Sequence, residues 1–340
     1  MGKTEGCHLG TLSGEQVEAA DVALVRLLAD GSFHSGEQLG AAMGVSRAAV
    51  WKRLTRLDRI GVSVERVRGK GYRLSGGLEL LAAEPLLEAG ALSSESLDLQ
   101  IFDSLPSTNL SALEQARSGL RRPLAVMAEY QQAGRGRRGR SWQSPYGRNI
   151  SLSLASGFPG GAARLEGLSL AVGVVVADVL QGHGLAGRVS LKWPNDVLVD
   201  GRKLAGILVE LSGDLDSECT AVIGIGLNGS LPDSAASRID QPWTDLQRET
   251  GLTPQRNRLA GELIAALLLA LDKFRAHGFA FFQGRWGAYD SCHGRAVDVL
   301  LADRKVSGVA RGVSAQGALM LDVDGRIELF HGGEVSLRAQ

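Results

Sequence analysis

The residues best suited to hold a polyphosphate occur in one short run, Gly134-Arg135-Gly136-Arg137-Arg138-Gly139-Arg140. Arginine makes bidentate, charge-assisted contacts to phosphate, and glycine lets the backbone approach a ligand closely. The run matches the G-x-G-x-x-G dinucleotide fingerprint in form only, because residues 141–145 have no helical face and that fingerprint opens a helix. We therefore predict a flexible cationic loop that folds around a polyphosphate. A solvated basic loop that contacts nucleic acid is the alternative.

Two lysines stand beside segments that are otherwise apolar. Lys203 precedes an apolar strand, and burial of an ammonium without an anionic partner costs several kcal/mol, so we predict that it meets a bound anion. Alternatively, Lys203 lies at the strand entrance and extends its charge into water. Lys192 ends a second strand and is followed by Asn195 and Asp196, which are either ligand-binding groups or turn formers after Pro194.

Two further motifs are open to a structural or a functional interpretation. Ser107, Thr108 and Asn109 form a polar triplet, whose commonest use is to cap a helix, here one that begins at Leu110. Gly224 and Gly226 interrupt an apolar strand, which indicates close approach by a ligand or by another backbone.

The elements that must position these residues follow from hydrophobic periodicity. Strands are predicted at residues 126–130, 150–154, 189–191, 197–200, 204–211 and 221–227. Two amphipathic helices are predicted from Leu165, Leu168, Val172, Val175 and Val179 and from Leu259, Leu263, Leu267, Leu271 and Phe274. Because hairpins outnumber strand–helix alternations, we predict a mixed or antiparallel sheet backed by helices. Short segments at 296–301, 305–311, 318–323 and 326–330 predict a small all-β barrel.

A separate basic module precedes this region. Residues 45–74 hold nine basic and two acidic residues, whereas the whole chain is balanced at 37 of each. S-x-x-Q capping boxes that begin at Ser13 and Ser35 predict two helices, and Ser46 is predicted to cap a third. Alternation over residues 62–74, interrupted by a glycine-rich turn, predicts a β-hairpin. The module is therefore a helix-turn-helix with a β-hairpin wing.

Length and composition set the class of protein. The 340 residues, 44% hydrophobic and 22% charged, are typical of a soluble globular protein with two or three domains. The neutral charge excludes a globally basic nucleic-acid coat, but not a local basic patch. Apolar runs fall far short of the roughly 20 residues that cross a bilayer, so we expect a soluble cytoplasmic protein and no membrane partner. Cys7, Cys219 and Cys292 are scattered, which predicts neither a disulfide framework nor a zinc site.

Taken together and in this order, the motifs resemble the bifunctional biotin–protein ligase and biotin-operon repressor family. The resemblance covers about residues 15–338, and its motifs lie at residues 34–39, 46–50, 69–72, 129–142, 192–196, 202–210 and 332–338. One departure is Pro106, since the family usually has an acidic residue before Ser-Thr-Asn.

The resemblance implies an α+β multidomain fold. It consists of an N-terminal winged helix-turn-helix, a central class II synthetase-like ligase domain and a C-terminal small SH3-like β-barrel. The expected boundaries are a disordered tail (1–14), the DNA-binding domain (15–75), a linker (76–97), the catalytic domain (98–293) and the barrel (294–340).

The implied reaction has two steps. Biotin and ATP, with Mg²⁺, give biotinyl-5′-adenylate and pyrophosphate, and a lysine of a biotin carboxyl carrier protein then attacks the adenylate. The catalytic residues implied are Lys203, Arg137, Asp196 and Lys192. The biotin-binding residues implied are Ser107, Thr108, Asn109, Gln131, Gly134, Arg135, Arg137, Trp142, Lys203, Gly206 and Leu208. The ATP-binding residues implied are Arg135, Arg137, Arg138, Arg140, Asn195, Asn228 and Trp243, of which Asn195, Asn228 and Trp243 would recognise adenine. No side chain is assigned to the metal.

A second function, repression, is implied for the basic module. The DNA-binding residues expected are Ser46, Arg47, Ala48, Trp51, Lys52, Arg56 and Lys70. The expected partners are biotin operator DNA, the carrier protein and a second copy of the chain when ligand is bound. Two alternatives stay open: a ligand-sensing winged-helix transcription factor without ligase activity, and an enzyme like lipoate–protein ligase.

Overall fold

The computed structural model describes residues 17–214, 216–301, 304–332 and 336–339, the last as backbone only. The predicted tail, Cys7, the Ser13 capping box and residues 333–335 of the terminal motif lie outside the described residues.

The described N-terminal residues form three helices and a hairpin, which confirms the predicted winged helix-turn-helix. Its elements are α1 (Ala19–Leu28), α2 (Gly36–Met43), α3 (Arg47–Leu57), β1 (Glu65–Val67) and β2 (Gly71–Arg73). The capping box before α2 is present, since the Ser35 hydroxyl accepts from the Gln38 N–H and the Gln38 amide oxygen accepts from the Ser35 N–H. The Ser46 hydroxyl accepts from the Ala49 N–H and begins α3.

The central domain is built on a mixed sheet. Its strands are β3 (Asp98–Leu105), β4 (Leu124–Gln131), β5 (Ile150–Pro159), β6 (Val189–Lys192), β7 (Asp196–Val199), β8 (Arg202–Gly213) and β9 (Glu218–Leu227). Within the described residues, these seven strands follow the order β3-β4-β5-β9-β8-β7-β6, with β3 and β4 parallel and the other neighbours antiparallel. The mixed sheet and every strand predicted for this domain are thus confirmed. Sequence periodicity missed β3 because polar and apolar residues occur on both of its faces, and all of them are half-buried.

Helices cover this sheet and connect its strands. They are α4 (Ala83–Ala89), α5 (Thr108–Arg117), α6 (Leu168–Leu180), α7 (Asp233–Ala236), α8 (Leu246–Thr250), α9 (Arg256–His277) and α10 (Ala280–Tyr289). The two amphipathic patterns correspond to α6 and α9. The helix predicted to begin at Leu110 begins at Thr108. Periodicity did not predict α10, whose glycines and polar residues obscure the buried Phe282 and Trp286.

The segment expected to be a linker packs against the central domain. Helix α4 lies within it, and the fully buried Leu86 belongs to the main hydrophobic core. Helices α4 and α9 approach so closely that a Cβ on Gly261 would lie 2.2 Å from the Leu86 carbonyl oxygen. Only glycine fits at that crossing.

A buried ion pair joins this segment to the sheet. The Arg256 guanidinium lies 2.7 Å from the Glu129 carboxylate, and their side chains are 4% and 3% exposed. Arg256 also donates to the carbonyl oxygens of Asn149 and Glu79, and Glu129 accepts from the Leu81 N–H. Four segments distant in sequence are therefore fixed by one pair of charges.

The described C-terminal residues form a second, antiparallel sheet. Its strands are β10 (Ala296–Leu300), β11 (Lys305–Val313), β12 (Leu319–Val323), β13 (Arg326–Phe330) and β14 (Ser336–Ala339). The order β13-β12-β11-β10-β14 leaves β13 and β14 as the two edges, so the sheet is compatible with an SH3-like barrel but is not closed. It contacts the central domain where the Trp193 indole donates to the Gly317 carbonyl oxygen over 3.1 Å.

Two compositional expectations can be compared with the structure. Cys219 and Cys292 are buried free thiols. Among the helices of the described residues, none has the length and apolarity required to span a bilayer.

The buried ion pair yields a stability prediction. Replacement of Arg256 by alanine leaves the Glu129 carboxylate buried without its counter-ion, so we expect a loss of about 3–5 kcal/mol of folding free energy in urea unfolding. The control is Arg258→Ala on the same helix, which removes an exposed i,i+4 pair with Glu262 and should cost at most about 1 kcal/mol. Equal effects of the two substitutions would contradict the assigned role of Arg256.

Candidate functional site

A cavity of about 420 Å³ opens beside β8 and β9, and most of the predicted site residues line it. We call it the first cavity. The predicted residues on its wall are Ser107, Thr108, Asn109, Gln131, Arg135, Arg137, Arg138, Arg140, Trp142, Lys192, Asn195, Asp196, Lys203, Gly206 and Leu208. Motifs far apart in sequence thus converge on one volume. Gly134 is not among the described lining residues of this cavity. It packs against the backbone of Trp142, since a Cβ on it would lie 2.4 Å from the Trp142 carbonyl oxygen.

One end of the cavity carries uncharged hydrogen-bonding groups. The Thr108 hydroxyl donates to the Gln131 side-chain oxygen over 3.2 Å and accepts from the Ser153 hydroxyl over 2.7 Å. Ser107 precedes α5, but its hydroxyl makes no capping bond, so the helix-cap interpretation is not realised for that side chain. Sequence reasoning missed Ser151 and Ser153, although polar residues at alternate positions of an otherwise buried strand were a signal.

The two glycines of β9 make room for side chains of this same chain. A Cβ on Gly226 would lie 2.4 Å from the Trp142 ring, and one on Gly224 would lie 2.3 Å from the Asn109 side-chain oxygen. Gly206 is the cross-strand partner of Gly226, and a Cβ on it would lie 3.2 Å from Lys203 Cε and 3.4 Å from the same indole. The expected close approach is therefore made by Asn109 and Trp142, which in turn form the cavity wall.

The two residues predicted to carry catalytic charge are in direct contact. The Lys203 ammonium lies 2.7 Å from the Asp196 carboxylate, and their side chains are only 14% and 19% exposed. The same ammonium lies 5.7 Å from the centre of the Trp142 ring. Lys203 therefore does not extend into bulk water. Asp196 is its anionic partner within the chain.

The arginine run forms a tight turn with a short 3-10 helix at Arg137–Gly139. Its base is closed because the Trp142 N–H donates to the Gly134 carbonyl oxygen over 2.8 Å. Arg137 donates to the Asn195 side-chain oxygen over 3.1 Å and to the carbonyl oxygen of Gly332 in the C-terminal domain. Burial lowers the pKa of the Arg137 guanidinium, an effect that the nearby Asp196 opposes. The cationic run thus forms a loop with one short 3-10 turn and does not open an α-helix.

A second ion pair and the lysine that ends β6 add to the charge distribution. The Arg135 guanidinium lies 3.1 Å from the Glu210 carboxylate, a residue that sequence reasoning did not select. Lys192 lines the first cavity, and no carboxylate of the described residues lies within ion-pair distance of it. The first cavity is therefore strongly cationic.

A second cavity of about 270 Å³ adjoins the first, and Arg140, Trp142 and Lys203 line both. Asn228 and Trp243, predicted to bind adenine, lie on its wall. Asn195 lies on the first cavity only, so the three predicted adenine-binding residues are not brought together. The second cavity is completed by Arg238, Asp240 and Gln241, which no motif had indicated.

The recognition helix α3 presents most of the predicted DNA-binding residues to solvent. Ser46, Arg47, Ala48, Trp51 and Lys52 are exposed, and Trp51 is 51% exposed, which is unusual for so large an apolar side chain. Lys70 is exposed at the tip of the wing.

Arg56 differs from these residues, because it is half-buried and paired with acids. Its guanidinium lies 2.6 Å from the Glu18 carboxylate and 2.7 Å from the Asp21 carboxylate, and both acids belong to α1 or its cap. The guanidinium is therefore held by acids of α1, and the DNA contact predicted for Arg56 must compete with these ion pairs. A charge count along the sequence could not show this because the two acids are distant from Arg56 in the chain.

The glycine pair beneath Trp142 gives a prediction. Gly226→Ala places a Cβ inside the indole, so we expect it to displace Trp142 and to cost about 1–3 kcal/mol of folding free energy. Gly157→Ala is the control, because a Cβ there meets nothing within 4 Å. Urea unfolding of both variants is the measurement, and an unchanged Gly226→Ala protein would contradict the close packing.

Comparison with known proteins agrees with this geometry. The profile of the biotin/lipoate A/B protein ligase family matches residues 101–228, an HTH domain profile matches residues 22–73, and the biotin protein ligase C-terminal domain profile matches residues 293–338. The biotin protein ligase of Aquifex aeolicus, solved with biotin and ATP, has 27% sequence identity and a TM-score of 0.60, covering 72% of this chain and 99% of that one.

Relatives of known sequence extend over almost the whole chain. The bifunctional ligase/repressor BirA of Escherichia coli strain K12 is 44% identical over 93% of this chain and 96% of its own length. The protein of the same name from Bacillus subtilis strain 168 is 30% identical over 91% of this chain and 95% of its own. The chain therefore belongs to the biotin–protein ligase family, with the bifunctional ligase/repressors as its full-length relatives.

Proposed function

We propose that the protein is an ATP-dependent biotin–protein ligase that also acts as a biotin-responsive transcriptional repressor. The observation that carries the ligase activity is the wall of Trp142 and Lys203 shared by the two cavities. A carboxylate held in the first cavity and an α-phosphate entering from the second meet at this wall. The arrangement suits a reaction that joins a small acid to a nucleotide.

The uncharged end of the first cavity suits the ureido ring of biotin. That ring is a neutral donor and acceptor, and Ser107, Thr108 and Gln131 offer hydroxyl and amide groups that can match it. The Trp142 indole supplies an apolar wall for the thioether ring and the valeryl chain. Biotin bound in this way directs its carboxylate toward the cations.

Adenylate formation brings two anions together. A carboxylate oxygen of biotin attacks the α-phosphorus of ATP, the bond to the bridging oxygen breaks, and pyrophosphate leaves. Because Lys203 has three N–H donors, it can keep one on Asp196 and direct the others at the carboxylate and the α-phosphate. Arg137, Arg140 and Lys192 add fixed positive charge where the transition state gathers negative charge.

The nucleotide enters as the magnesium complex of ATP. The carboxylates on the cavity walls are Asp196, which is paired with Lys203, and Asp240. Mg²⁺ commonly takes one or two carboxylates together with phosphate oxygens, so a donor set made mainly of the triphosphate fits these walls. Asn228 and Trp243 form the adenine end, although Asn228 already donates to the Thr244 carbonyl oxygen.

Transfer requires an uncharged lysine amine from the carrier protein. That amine attacks the carbonyl carbon of the mixed anhydride, AMP leaves, and the amine loses a proton. Asp196 lies at the reaction centre, so its carboxylate can orient the amine and accept that proton. The product is biotin in amide linkage to the carrier lysine.

The two alternatives have less support. A winged-helix regulator without ligase activity does not account for the convergence of Lys203, Asp196 and the arginine run on one cavity. A ligase for lipoate would need a different fit at the ureido end and no DNA-binding domain. The deciding experiment incubates the protein with Mg-ATP, a carrier domain and either biotin or lipoate, and measures the intact mass of the carrier.

Lys203 gives the sharpest test of the ligase mechanism. We expect Lys203→Ala to slow adenylate formation by about a hundred- to a thousand-fold, because one fixed charge is lost from the transition state. Pyrophosphate release is the measurement, with Lys305→Ala on the C-terminal sheet as the control. The unfolding midpoint of Lys203→Ala should match that of the control. Adenylate formation by Lys203→Ala at the control's rate would refute the catalytic role of Lys203.

For repression, we propose that the exposed face of α3 enters operator DNA and that Lys70 of the wing contacts the backbone. Arg47 and Lys52 supply phosphate contacts, and the exposed Trp51 is available to the groove. A homodimer formed with ligand would present two such faces to a two-fold operator. The partners ATP, carrier protein and DNA suit a cytoplasmic location.

The ion pairs of Arg56 with acids of α1 make the DNA prediction specific. We expect Lys52→Ala to weaken operator binding and to reduce the slope of log affinity against log salt by about 0.9, the value for one neutralised phosphate. Arg56→Ala should leave that slope unchanged and lower the unfolding midpoint instead, since Asp21 loses its partner. A reversal of these two outcomes, measured by fluorescence anisotropy over a salt series, would restore Arg56 to the DNA face.

A further inference from the structure

The Glu210 carboxylate contacts two parts of the first cavity wall, although Glu210 is not among the described residues that line that cavity. One carboxylate oxygen lies 3.1 Å from the Arg135 guanidinium, in the arginine run. The other accepts from the Asn109 side-chain amide over 2.9 Å, in the first turn of α5. Arg135 and Asn109 both line the first cavity. One carboxylate outside the cavity therefore joins two segments of its wall that are distant in sequence.

The Asn109 side chain connects Glu210 to the polar end of the first cavity. Its amide nitrogen donates to the Glu210 carboxylate and, over 3.2 Å, to the Leu208 carbonyl oxygen. Because both of these groups can only accept, the orientation of the amide is fixed and its oxygen faces a different partner. That oxygen accepts from the Ser153 hydroxyl over 2.5 Å. The Asn109 side chain is 3% exposed, so these hydrogen bonds lie in the protein interior.

The fully buried Ser153 completes the connection to the hydroxyl proposed to bind the ureido ring. It lies 2.7 Å from the Thr108 hydroxyl, to which it can donate, and it has one proton for Thr108 and Asn109 together. The proton of Thr108 is directed at the Gln131 side-chain oxygen, 3.2 Å away. Toward a ligand, the Thr108 hydroxyl is therefore an acceptor whose position depends on Ser153 and Asn109.

We propose that Glu210 is a positioning residue that fixes the two ends of bound biotin relative to each other. Through Asn109 and Ser153 it orients the Thr108 hydroxyl at the ureido end. Through Arg135 it holds a cation of the arginine run on the same cavity wall. An anion is required at this position, because it must accept from an amide and also neutralise a guanidinium. The inference rests on the proposed function for the identity of the ligand.

The test compares two substitutions at residues outside the described cavity wall. Glu210→Gln keeps the shape of the side chain but removes the charge that pairs with Arg135. Ser153→Ala removes the hydroxyl that lies beside Thr108. The matched control is Glu218→Gln on the neighbouring strand β9, where the side chain is exposed and is not among the described lining residues of either cavity.

Biotin binding is measured by isothermal titration calorimetry without ATP, so that catalysis does not contribute. We expect Glu210→Gln and Ser153→Ala each to raise the Kd for biotin about tenfold relative to Glu218→Gln, since each breaks the same chain of hydrogen bonds. The double variant should bind biotin about as weakly as Glu210→Gln alone, because both residues act through Asn109. In the ligase assay, Ser153→Ala should raise the KM for biotin and leave the KM for ATP and kcat nearly unchanged.

Amide hydrogen exchange of the ligand-free protein separates positioning from a general loss of stability. In Glu210→Gln we expect about tenfold faster exchange at residues 107–110 and 134–140, the two segments that the carboxylate joins. Exchange in strands β10 to β13 of the C-terminal sheet should equal that of Glu218→Gln. Faster exchange in both sheets would indicate a general loss of stability and would overturn the inference.

Two outcomes of the binding experiment would also overturn the inference. The first is an unchanged Kd for biotin in Glu210→Gln. The second is a loss of about a hundredfold in the double variant, because the two residues would then act independently. If the wild-type chain bound no biotin, the proposed function would fail, whereas exchange at residues 107–110 and 134–140 would still decide whether Glu210 positions these segments.

Discussion

The buried pair of Arg256 and Glu129 is the interaction on which the geometry of the site depends. Glu129 lies two residues before Gln131 at the polar end of the first cavity, and Arg256 holds the Asn149 carbonyl oxygen shortly after Trp142. The same guanidinium fixes the Glu79 carbonyl oxygen in the segment that follows the DNA-binding domain. Desolvation of two charges is costly, and here several hydrogen bonds to the two side chains offset part of that cost. This one ion pair therefore holds together the segments that carry Gln131 and Trp142 and the segment that follows the DNA-binding domain.

The first cavity is lined by more cationic than anionic side chains. Asp196 pairs with Lys203 and Glu210 pairs with Arg135, and Arg137 donates to an amide oxygen and to a backbone carbonyl. Groups preorganised in this way are costly for the empty protein and favourable once anions arrive, which is the physical basis of electrostatic catalysis. An anionic ligand should therefore stabilise the folded chain as well as react in it.

The features of the fold and the site that could be predicted are those set by residues close together in the sequence. The wing, the capping box at Ser35 and the alternating strands are set by neighbours in sequence, and they were predicted. The arginine run and Lys203 were recognisable because such residues are rare beside glycine-rich or apolar segments. Contacts between residues distant in sequence could not be predicted. Arg56 pairs with acids of α1, and Gly206 lies opposite Gly226 on the neighbouring strand. The separation of Asn195 from the adenine end also depends on topology rather than on spacing.

The place of Tyr146 in the core of the winged-helix domain has a consequence for synthesis on the ribosome. Residues 17–74 emerge well before Tyr146 is translated, so the nascent domain must form with one position of its core unfilled. It completes that core only after β4 and the arginine run have left the exit tunnel. Domains generally fold in order during translation, but here the core of the first domain includes a side chain from the second. A DNA-binding domain produced alone would therefore expose the apolar side chains that Tyr146 covers. Folding of the two domains during translation is coupled before any ligand binds.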